Sequence, residues 1–265
     1  MDTTGKMFLI KLADKVIQIE PFYDYVREYC IDYVIAGIKP DIVVKITKDD
    51  IEYERKKSIE EDIKEGHAIR KFSDEYLESI AVYRKIAEKM TEYNTFLFHG
   101  SVVAVDNEGY LFTAKSGTGK STHTKLWREL FKERAVMVND DKPLIKIDGD
   151  NVIVYGTPYN GKHRLGSNIS VPLKAICILT RAKENTIKEI TKSEAYVMLL
   201  QQIYRPSDEE GIKKTLEGVD MIAERVKIYR LGCNMEIQAA RIAYEKMSVR
   251  QETFNIIKTK GGIIH

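Results

Sequence analysis

The sequence predicts an α/β protein whose main sheet is mixed, with parallel and antiparallel strands. Three observations support this prediction. An apolar run at 110–113 leads into a glycine-rich loop and then a helical stretch, the order of an α/β unit. The turn-forming sequences DNEG at 106–109 and DGD at 148–150 each separate two strand-like runs. Because hairpins join antiparallel strands, we expect a mixed sheet rather than a purely parallel one.

The composition is that of an ordinary globular protein. Of 265 residues, 43% are hydrophobic and 31% are charged. The 42 basic and 40 acidic residues leave a net charge of +2, which gives no support for a nucleic-acid partner. No apolar stretch approaches the roughly 20 residues that span a bilayer, and residues 1–6 lack the apolar segment of a signal peptide. We therefore expect a cytoplasmic protein without membrane or nucleic-acid partners.

The first third of the chain predicts a smaller α/β element over residues 1–92. Strand-like runs at 8–12 and 16–19 form a plausible hairpin, and further strand-like runs occur at 42–46 and around 51–53. Ser73 begins a helix whose apolar residues recur at helical spacing up to Met90. Residues 21–36 are rich in aromatic side chains, and we expect this element to help select a substrate or partner.

Residues 93–265 predict a second, larger domain. Strands are expected at 101–105, 110–113, 135–138, 144–147, 152–155 and 173–179. Three helices are expected to fill the rest of the domain. The first runs from about 193 to 204, Ser207 caps the second, and Asn234 caps the third, which ends near Met247.

Residues 114–121 read AKSGTGKS and form a phosphate-binding P-loop pattern, with Ala114 at the position of the first glycine. In such a loop, backbone N–H groups and the following helix N-terminus surround an anion. Lys120 is expected to reach the β- and γ-phosphates, and the Ser121 hydroxyl to ligate Mg²⁺. The predicted nucleotide-binding residues are Ser116, Gly117, Thr118, Gly119, Lys120, Ser121 and Thr122.

A second motif follows about twenty residues later. The apolar run 135–138 ends in Asn139, Asp140 and Asp141. Ligands of open α/β sheets bind at the carboxyl ends of the strands, so these carboxylates would lie beside the bound phosphates. A carboxylate there can hold the Mg²⁺ that bridges the phosphates. Two motifs in this order predict that the chain binds ATP or GTP with Mg²⁺.

The segment from about 98 to 168 resembles the HPr kinase/phosphorylase family and, more distantly, ATP-dependent phosphoenolpyruvate carboxykinase. Three blocks of sequence support the resemblance: FHGS at 98–101, SGTGKST at 116–122 and NDD at 139–141. A fourth block, GTPYNGK at 156–162, is similar to small stand-alone HPr-kinase-like proteins. The resemblance implies a carboxykinase-like P-loop domain that transfers phosphate from ATP to a hydroxyl. It also implies that Asp141 ligates the metal, that Asp140 accepts the hydroxyl proton, and that His99 lies near the phosphates or a second metal.

Other basic and aromatic residues near the motifs have alternative interpretations. Arg164, with Lys162, could clamp the transferring phosphoryl group or an anionic substrate, or lie on a solvated basic loop. His123 follows the P-loop and is expected to be exposed. Trp127, the only tryptophan, is expected in the core, with nucleobase stacking as the alternative.

The predicted function is an ATP- and Mg-dependent kinase acting on a hydroxyl, first of all a Ser or Thr of a peptide or protein. A small alcohol as acceptor, a nucleotide-hydrolysing switch that acts through a partner, and a carboxykinase-type lyase stay open as alternatives. The later glycine-rich signature of HPr kinases and the substrate arginines of carboxykinases have no counterpart in this sequence. The acceptor, the choice between ATP and GTP, a reverse phosphorylase activity and homo-oligomerisation are left open.

Overall fold

A computed structural model describes residues 6–249 of the chain. The predicted second domain extends to residue 265, and its last 16 positions, 250–265, lie outside the described residues. Within the described part, the structure is α/β with two sheets and seven α-helices. The helices are α1 (Tyr25–Tyr29), α2 (Lys48–Glu65), α3 (Asp74–Met90), α4 (Lys120–Phe131), α5 (Lys192–Gln202), α6 (Glu209–Arg225) and α7 (Ile237–Met247).

The first sheet has four strands in the order β3-β1-β2-β4. They are β1 (Phe8–Leu12), β2 (Lys15–Glu20), β3 (Val34–Ile35) and β4 (Ile42–Lys45). The predicted hairpin joins β1 to β2, and β4 pairs with β2 in parallel. Apolar side chains of this sheet pack against α1 and α3, and the same core includes Leu144, Tyr155 and Tyr159 from later in the chain. The domain boundary at 92/93 stays a prediction.

The second sheet has nine strands and is mixed, as the hairpin signals predict. Its central path has the order β5-β9-β10-β11-β7-β6-β8, while β13 pairs with β11 and β12. The strands are β5 (Thr95–Leu97), β6 (Ser101–Val105), β7 (Glu108–Thr113), β8 (Ala135–Asn139), β9 (Leu144–Asp148), β10 (Asn151–Tyr155), β11 (Ser170–Arg181), β12 (Thr186–Ile190) and β13 (Lys227–Cys233). Strand β11 pairs in parallel with both β7 and β13, whereas its first residues pair with β10 in the antiparallel sense.

Helices cover both faces of the second sheet because its strands alternate their apolar side chains between two cores. Along β11, Cys177 points to the core formed with α4 and α7. Its neighbours Ile176 and Ile178 point to the core formed with α5 and α6. This arrangement places α4, the helix after the P-loop, firmly against one face of the sheet.

Some predicted elements are wrong. Residues 51–53 lie in α2, since Thr47 and Asp50 form a reciprocal capping box that starts a helix three residues earlier. Strands β12 and β13 occupy part of the region expected to contain only helices.

Two predicted helix caps are also displaced. Asp208, not Ser207, caps α6 by accepting a hydrogen bond from the Gly211 N–H. Glu236 occupies the N-cap position of α7, and Asn234 lies two residues before it.

None of the helices within residues 6–249 has the length and apolar character needed to cross a bilayer. The cytoplasmic location stays a prediction.

Candidate functional site

Three chain segments meet at one edge of the second sheet. Ser101, at the start of β6, pairs with Phe112 near the end of β7, and Val102 pairs with Asn139 at the end of β8. Strand β6 is antiparallel to both neighbours, so its start lies beside the ends of β7 and β8. The segment containing His99, the P-loop after β7 and the acidic turn after β8 therefore lie together.

The P-loop is shaped to surround an anion. Gly117 and Gly119 have φ angles of +71° and +124°, which favour glycine, and no atom lies within 4 Å of a Cβ built on either residue. Of the backbone N–H groups in residues 116–122, that of Thr118 is the only one with a backbone acceptor, the Lys115 carbonyl. The remaining N–H groups have no backbone acceptor in the described part of the chain and lie at the N-terminus of α4, where they can donate to phosphate oxygens.

Ala114 explains why the first glycine of the pattern can be absent. Its side chain is fully buried, and its φ is not among the positive ones. A methyl group therefore fits there without backbone strain.

Lys120 lies in the first turn of α4 with its side chain folded back over the loop. Its Nζ lies 3.5 Å from the Ala114 carbonyl oxygen. Burial lowers the pKa of Lys120, and the nearby Asp141 carboxylate opposes that effect. Ser121 and Thr122 follow on the same turn and are exposed. Lys120 thus contacts the start of the loop, and Ser121 follows it on the exposed first turn of α4.

Asp141 has a strongly cationic environment. Burial would raise its pKa, but His99, Lys142 and Lys120 outweigh burial and lower it. The His99 Nε2 lies 3.4 Å from an Asp141 carboxylate oxygen. Mg²⁺ takes few protein ligands beside substrate phosphates, so the Asp141 carboxylate and the Ser121 hydroxyl are candidate ligands at this sheet edge. Within the described part of the chain, no group of three or more His, Cys, Asp or Glu side chains could hold a metal by itself.

Asp140 has different partners from Asp141. Its Oδ1 accepts a 2.6 Å hydrogen bond from the Gly161 N–H, and its backbone carbonyl accepts one of 2.8 Å from the Ser101 hydroxyl. Among the described residues, no donor forms a hydrogen bond with Oδ2. Gly161 lies close to this oxygen, and a Cβ added to Gly161 would be 3.3 Å from it. One carboxylate oxygen is thus anchored and the other is left available to accept a proton.

Asn139 belongs to the candidate site through contacts that the sequence did not predict. Its amide is fully buried, and its Oδ1 accepts hydrogen bonds from the backbone N–H groups of Asp141 and Lys142, at 2.8 and 2.6 Å. Its Nδ2 donates to the Thr157 carbonyl and hydroxyl oxygens, at 3.2 and 3.0 Å. The amide therefore fixes the acidic turn and ties it to the following loop. An asparagine just before an acidic turn is the signal that could have indicated this role.

Arg181 is a second residue that the sequence reasoning missed. It ends β11, and its guanidinium group donates to the backbone carbonyls of Gly117 and Thr118. These two contacts hold the outer side of the P-loop, so that its N–H groups face the open side. Nothing in the local sequence signals the contact, because it joins segments 63 or 64 residues apart.

Arg164 lies on the loop of residues 156–169, which we call the bridging loop. Its guanidinium group is centred 4.5 Å from the ring of Tyr29 in α1. Among the described residues, its side chain forms no hydrogen bond with the P-loop or the acidic turn. The structure thus brings His99, Lys120 and both aspartates together and places the Arg164 side chain toward the first sheet. Its predicted catalytic role stays a prediction.

His123 corrects a prediction, since it is buried rather than exposed. Only 2% of its surface is accessible, and its Nε2 accepts a 3.0 Å hydrogen bond from the Trp127 Nε1–H. Burial lowers the pKa of His123 to about 4. Trp127 is fully buried among Tyr110, Phe112 and other rings, which confirms its core position. The inward face of α4 explains both, because positions four residues apart share one side of a helix.

The protein-family model described as SynChlorMet cassette protein ScmC matches residues 68–244 of this chain. The chain belongs to the ScmC family. The matched range contains α3, the P-loop, the acidic turn and the bridging loop. The whole candidate site is therefore part of the ScmC family region, whereas the first sheet lies before it.

Other comparisons add little. No curated protein matches the chain. Among solved structures, the Hpr(Ser) kinase/phosphatase from Coxiella burnetii is similar at 11% identity and a TM-score of 0.32. That similarity covers 58% of this chain and 99% of the other. The geometry of the site in this chain is therefore the basis for its proposed function.

Proposed function

We propose that this ScmC family protein is an ATP- and Mg-dependent kinase that transfers the γ-phosphate to a hydroxyl, most directly to a Ser or Thr of a peptide or protein. The observation that carries the proposal is the meeting of the P-loop with two adjacent aspartates that have different partners. Phosphoryl transfer needs a phosphate cradle, a metal ligand and a proton acceptor in one place. Each of these tasks has a suitable residue at this sheet edge.

The phosphates of ATP would bind to the free N–H groups of residues 116–122. Lys120 neutralises negative charge as the γ-phosphoryl group leaves, which is the main catalytic contribution in this chemistry. Ser121 and Asp141 would hold Mg²⁺, which supplies further charge neutralisation on the phosphates. His99 keeps the Asp141 carboxylate oriented through their 3.4 Å contact.

Asp140 is the proposed proton acceptor. The acceptor oxygen forms a bond to the γ-phosphorus while the bond from that phosphorus to the bridging oxygen of ADP breaks. The hydroxyl proton goes to the free Oδ2 of Asp140, while Gly161 holds Oδ1. A carboxylate with one anchored oxygen is well oriented for this task.

The alternatives predict different products. A small-alcohol kinase would leave the phosphate on a low-mass compound, a switch protein would release only inorganic phosphate, and a lyase would decarboxylate a keto acid. A reverse reaction with phosphate or pyrophosphate would regenerate the unmodified hydroxyl. Product identity therefore separates these activities.

The test follows γ-labelled ATP and Mg²⁺ with the full chain and fractionated host-cell extract. We expect label in a peptide or protein fraction, and its loss in Lys120→Ala. An exposed lysine, Lys125→Ala, is the matched control on the same helix. Label in a small organic compound would show that the acceptor is a small alcohol and not a peptide or protein. Label only as free phosphate would favour the switch, and no turnover would contradict the kinase assignment.

A further inference from the structure

The first sheet and its helices reach the candidate site through a column of aromatic rings. Tyr29 of α1 contacts Tyr159 of the bridging loop, with ring centres 5.3 Å apart. Tyr159 stacks on Tyr83 of α3 at 3.8 Å with nearly parallel planes, and the Tyr83 hydroxyl donates to the Lys142 carbonyl at 2.7 Å. Lys142 directly follows Asp141. Helix α1 is therefore held in a fixed position relative to the acidic turn.

Four aromatic side chains of this region are only partly buried: Tyr25, Tyr29, Phe72 and Tyr76. We call them the aromatic wall. Ring centres lie 5.9 Å apart in the Tyr25–Tyr29 pair and 5.1 Å apart in the Phe72–Tyr76 pair. Burial raises the pKa of Tyr76 most, and the proximity of Tyr25 and of Asp141 raises it further. The wall is joined to the acidic turn through Tyr29, Tyr159 and Tyr83, and part of its surface remains accessible.

The buried Glu78 carboxylate fixes the chain at the start of this segment. It accepts hydrogen bonds from the backbone N–H groups of Phe22 and Tyr23, at 2.6 and 3.0 Å. Glu78 and Tyr76 belong to the same helix, α3. The position of α1 beside Tyr76 is therefore set by specific bonds and not only by apolar packing.

A basic edge borders the wall on the bridging loop. Arg164 lies over Tyr29, and the Arg164 N–H donates to the carbonyl of Gly161, the residue that anchors Asp140. Lys162 and His163 beside it are exposed. Among the described residues, none of these three basic side chains forms an ion pair with a carboxylate at 4.0 Å or less. Cations without an acidic partner favour an anionic ligand.

The acids on this side lie on the helices. Asp24, Glu28 and Glu75 are exposed on or next to α1 and α3, and Asp74 pairs with Arg55. Arg70, over the Phe72 ring, pairs with Asp62. Arg27 and Lys71 are also exposed and form no ion pair among the described residues, but Lys162 and Arg164 lie on the loop whose Gly161 N–H holds Asp140.

We propose that the aromatic wall and the bridging-loop cations form the acceptor subsite of the kinase, and that they bind a peptide segment with an aromatic residue and an acidic residue close to its Ser or Thr. This inference rests on the proposed function. The aromatic residue of the peptide packs on the wall, and its carboxylate pairs with Arg164. A Ser or Thr close to these two residues in the peptide then presents its hydroxyl to the free oxygen of Asp140. A small alcohol would leave most of this surface unused.

The test measures binding of short fluorescent Ser peptides to the full chain without ATP. The four peptides differ at two positions near the Ser. One position carries an acidic residue or lysine, and the other carries an aromatic residue or alanine. We expect the acidic, aromatic peptide to bind roughly tenfold more tightly than either singly changed peptide, with a preference for acid that weakens at high salt. Arg164→Glu should reverse the charge preference, and Tyr76→Ala should remove the aromatic preference.

Matched measurements separate the failure of this inference from that of the kinase proposal. Lys120→Ala should bind the peptides normally and transfer no phosphate, while Tyr76→Phe should keep the aromatic preference. Equal binding of all four peptides, or preferences unchanged in Arg164→Glu and Tyr76→Ala, would overturn the subsite even if phosphate transfer occurs. Peptide preferences as expected, with no ATP turnover by the unaltered chain, would retain a peptide-binding surface and refute its role as a kinase subsite.

Discussion

Replacing Asn139 by alanine should both destabilise the protein and disable the site. The side chain of Asn139 is fully buried, and its oxygen accepts two backbone N–H groups of the acidic turn. The alanine variant removes that acceptor. It also removes the Nδ2 donor that the carbonyl of Thr157 uses. Neither the turn nor the bridging loop has another described side chain that replaces the amide.

The expected loss of stability follows from the number of orphaned groups. A buried polar group without its partner costs about 1–3 kcal/mol. Two N–H groups of the turn lose their acceptor, and partial access of water to the half-buried turn reduces the penalty, so we expect a loss of about 2–4 kcal/mol. This is a large fraction of the roughly 5–15 kcal/mol that stabilises a typical domain.

The expected effect on activity follows from the displacement of both carboxylates. A misplacement of about 1 Å in a catalytic group can cost on the order of 100-fold in rate. ATP binding depends mainly on the P-loop, so its Kd should change by only a few-fold in the alanine variant. The loss should therefore appear in the rate of phosphate transfer.

Urea unfolding measures the stability change, and calorimetry with ATP and Mg²⁺ measures the Kd. Asn151→Ala, at an exposed position at the start of β10, is the matched control and should stay within about 0.5 kcal/mol of the unaltered chain. The reasoning is refuted if Asn139→Ala is as stable as this control. It is also refuted if the variant folds and transfers phosphate at the normal rate.

Three further predictions concern the P-loop and the dependence of stability on pH. Arg181→Ala should weaken ATP binding roughly tenfold by releasing the loop carbonyls, while Arg181→Lys restores part of it; equal Kd values by calorimetry would contradict this. The pKa of His123 is about 4 in the folded chain against an ordinary 6.5, so stability should fall by up to about 3 kcal/mol as pH drops from 6.5 to 4. The fluorescence of Trp127 can follow this unfolding, and His123→Gln, which keeps an acceptor for the indole, should flatten the slope in that window. For Asp50, burial alone would raise the carboxyl pKa, but hydrogen bonds from Lys85 and other donors outweigh burial and lower the pKa to about 2. The stabilisation by the ionised Asp50 carboxylate is therefore present above about pH 4 and is lost as the pH falls through 2. Asp50→Asn should cost about 1–2 kcal/mol at pH 7 and show a smaller loss of stability in urea unfolding between pH 4 and 2; an unchanged profile would contradict the ion-pair account.

The sequence is informative where local chemistry determines structure. The P-loop pattern implies a strand before it and a helix after it, and both β7 and α4 are present. The hairpin turns predict the mixed sheet for the same reason, since a turn sequence specifies its own geometry. The acidic residues at 140–141 are placed correctly at the strand end because an apolar run stops there.

Contacts between distant segments are not readable in the same way. Arg181 reaches the P-loop only because β11 lies in parallel beside β7. His123 was expected to be exposed because a polar residue after a loop is usually solvated, yet the indole of Trp127 on the next turn gives it a buried partner. The contact of Arg164 with Tyr29 likewise depends on how the first sheet packs on the second. Such partners follow from strand order and tertiary packing, which the local pattern does not specify.

The most direct test of the central claim compares ATP binding and phosphate transfer in Asp140→Asn. Asparagine keeps the shape of the side chain and an oxygen that can accept from the Gly161 N–H, but it cannot take the hydroxyl proton. The account predicts a Kd for ATP with Mg²⁺ within about threefold of the unaltered chain and a transfer rate lower by on the order of 100-fold or more. Transfer at the normal rate, with ATP binding intact, would contradict the assignment of Asp140 as the proton acceptor in a kinase site.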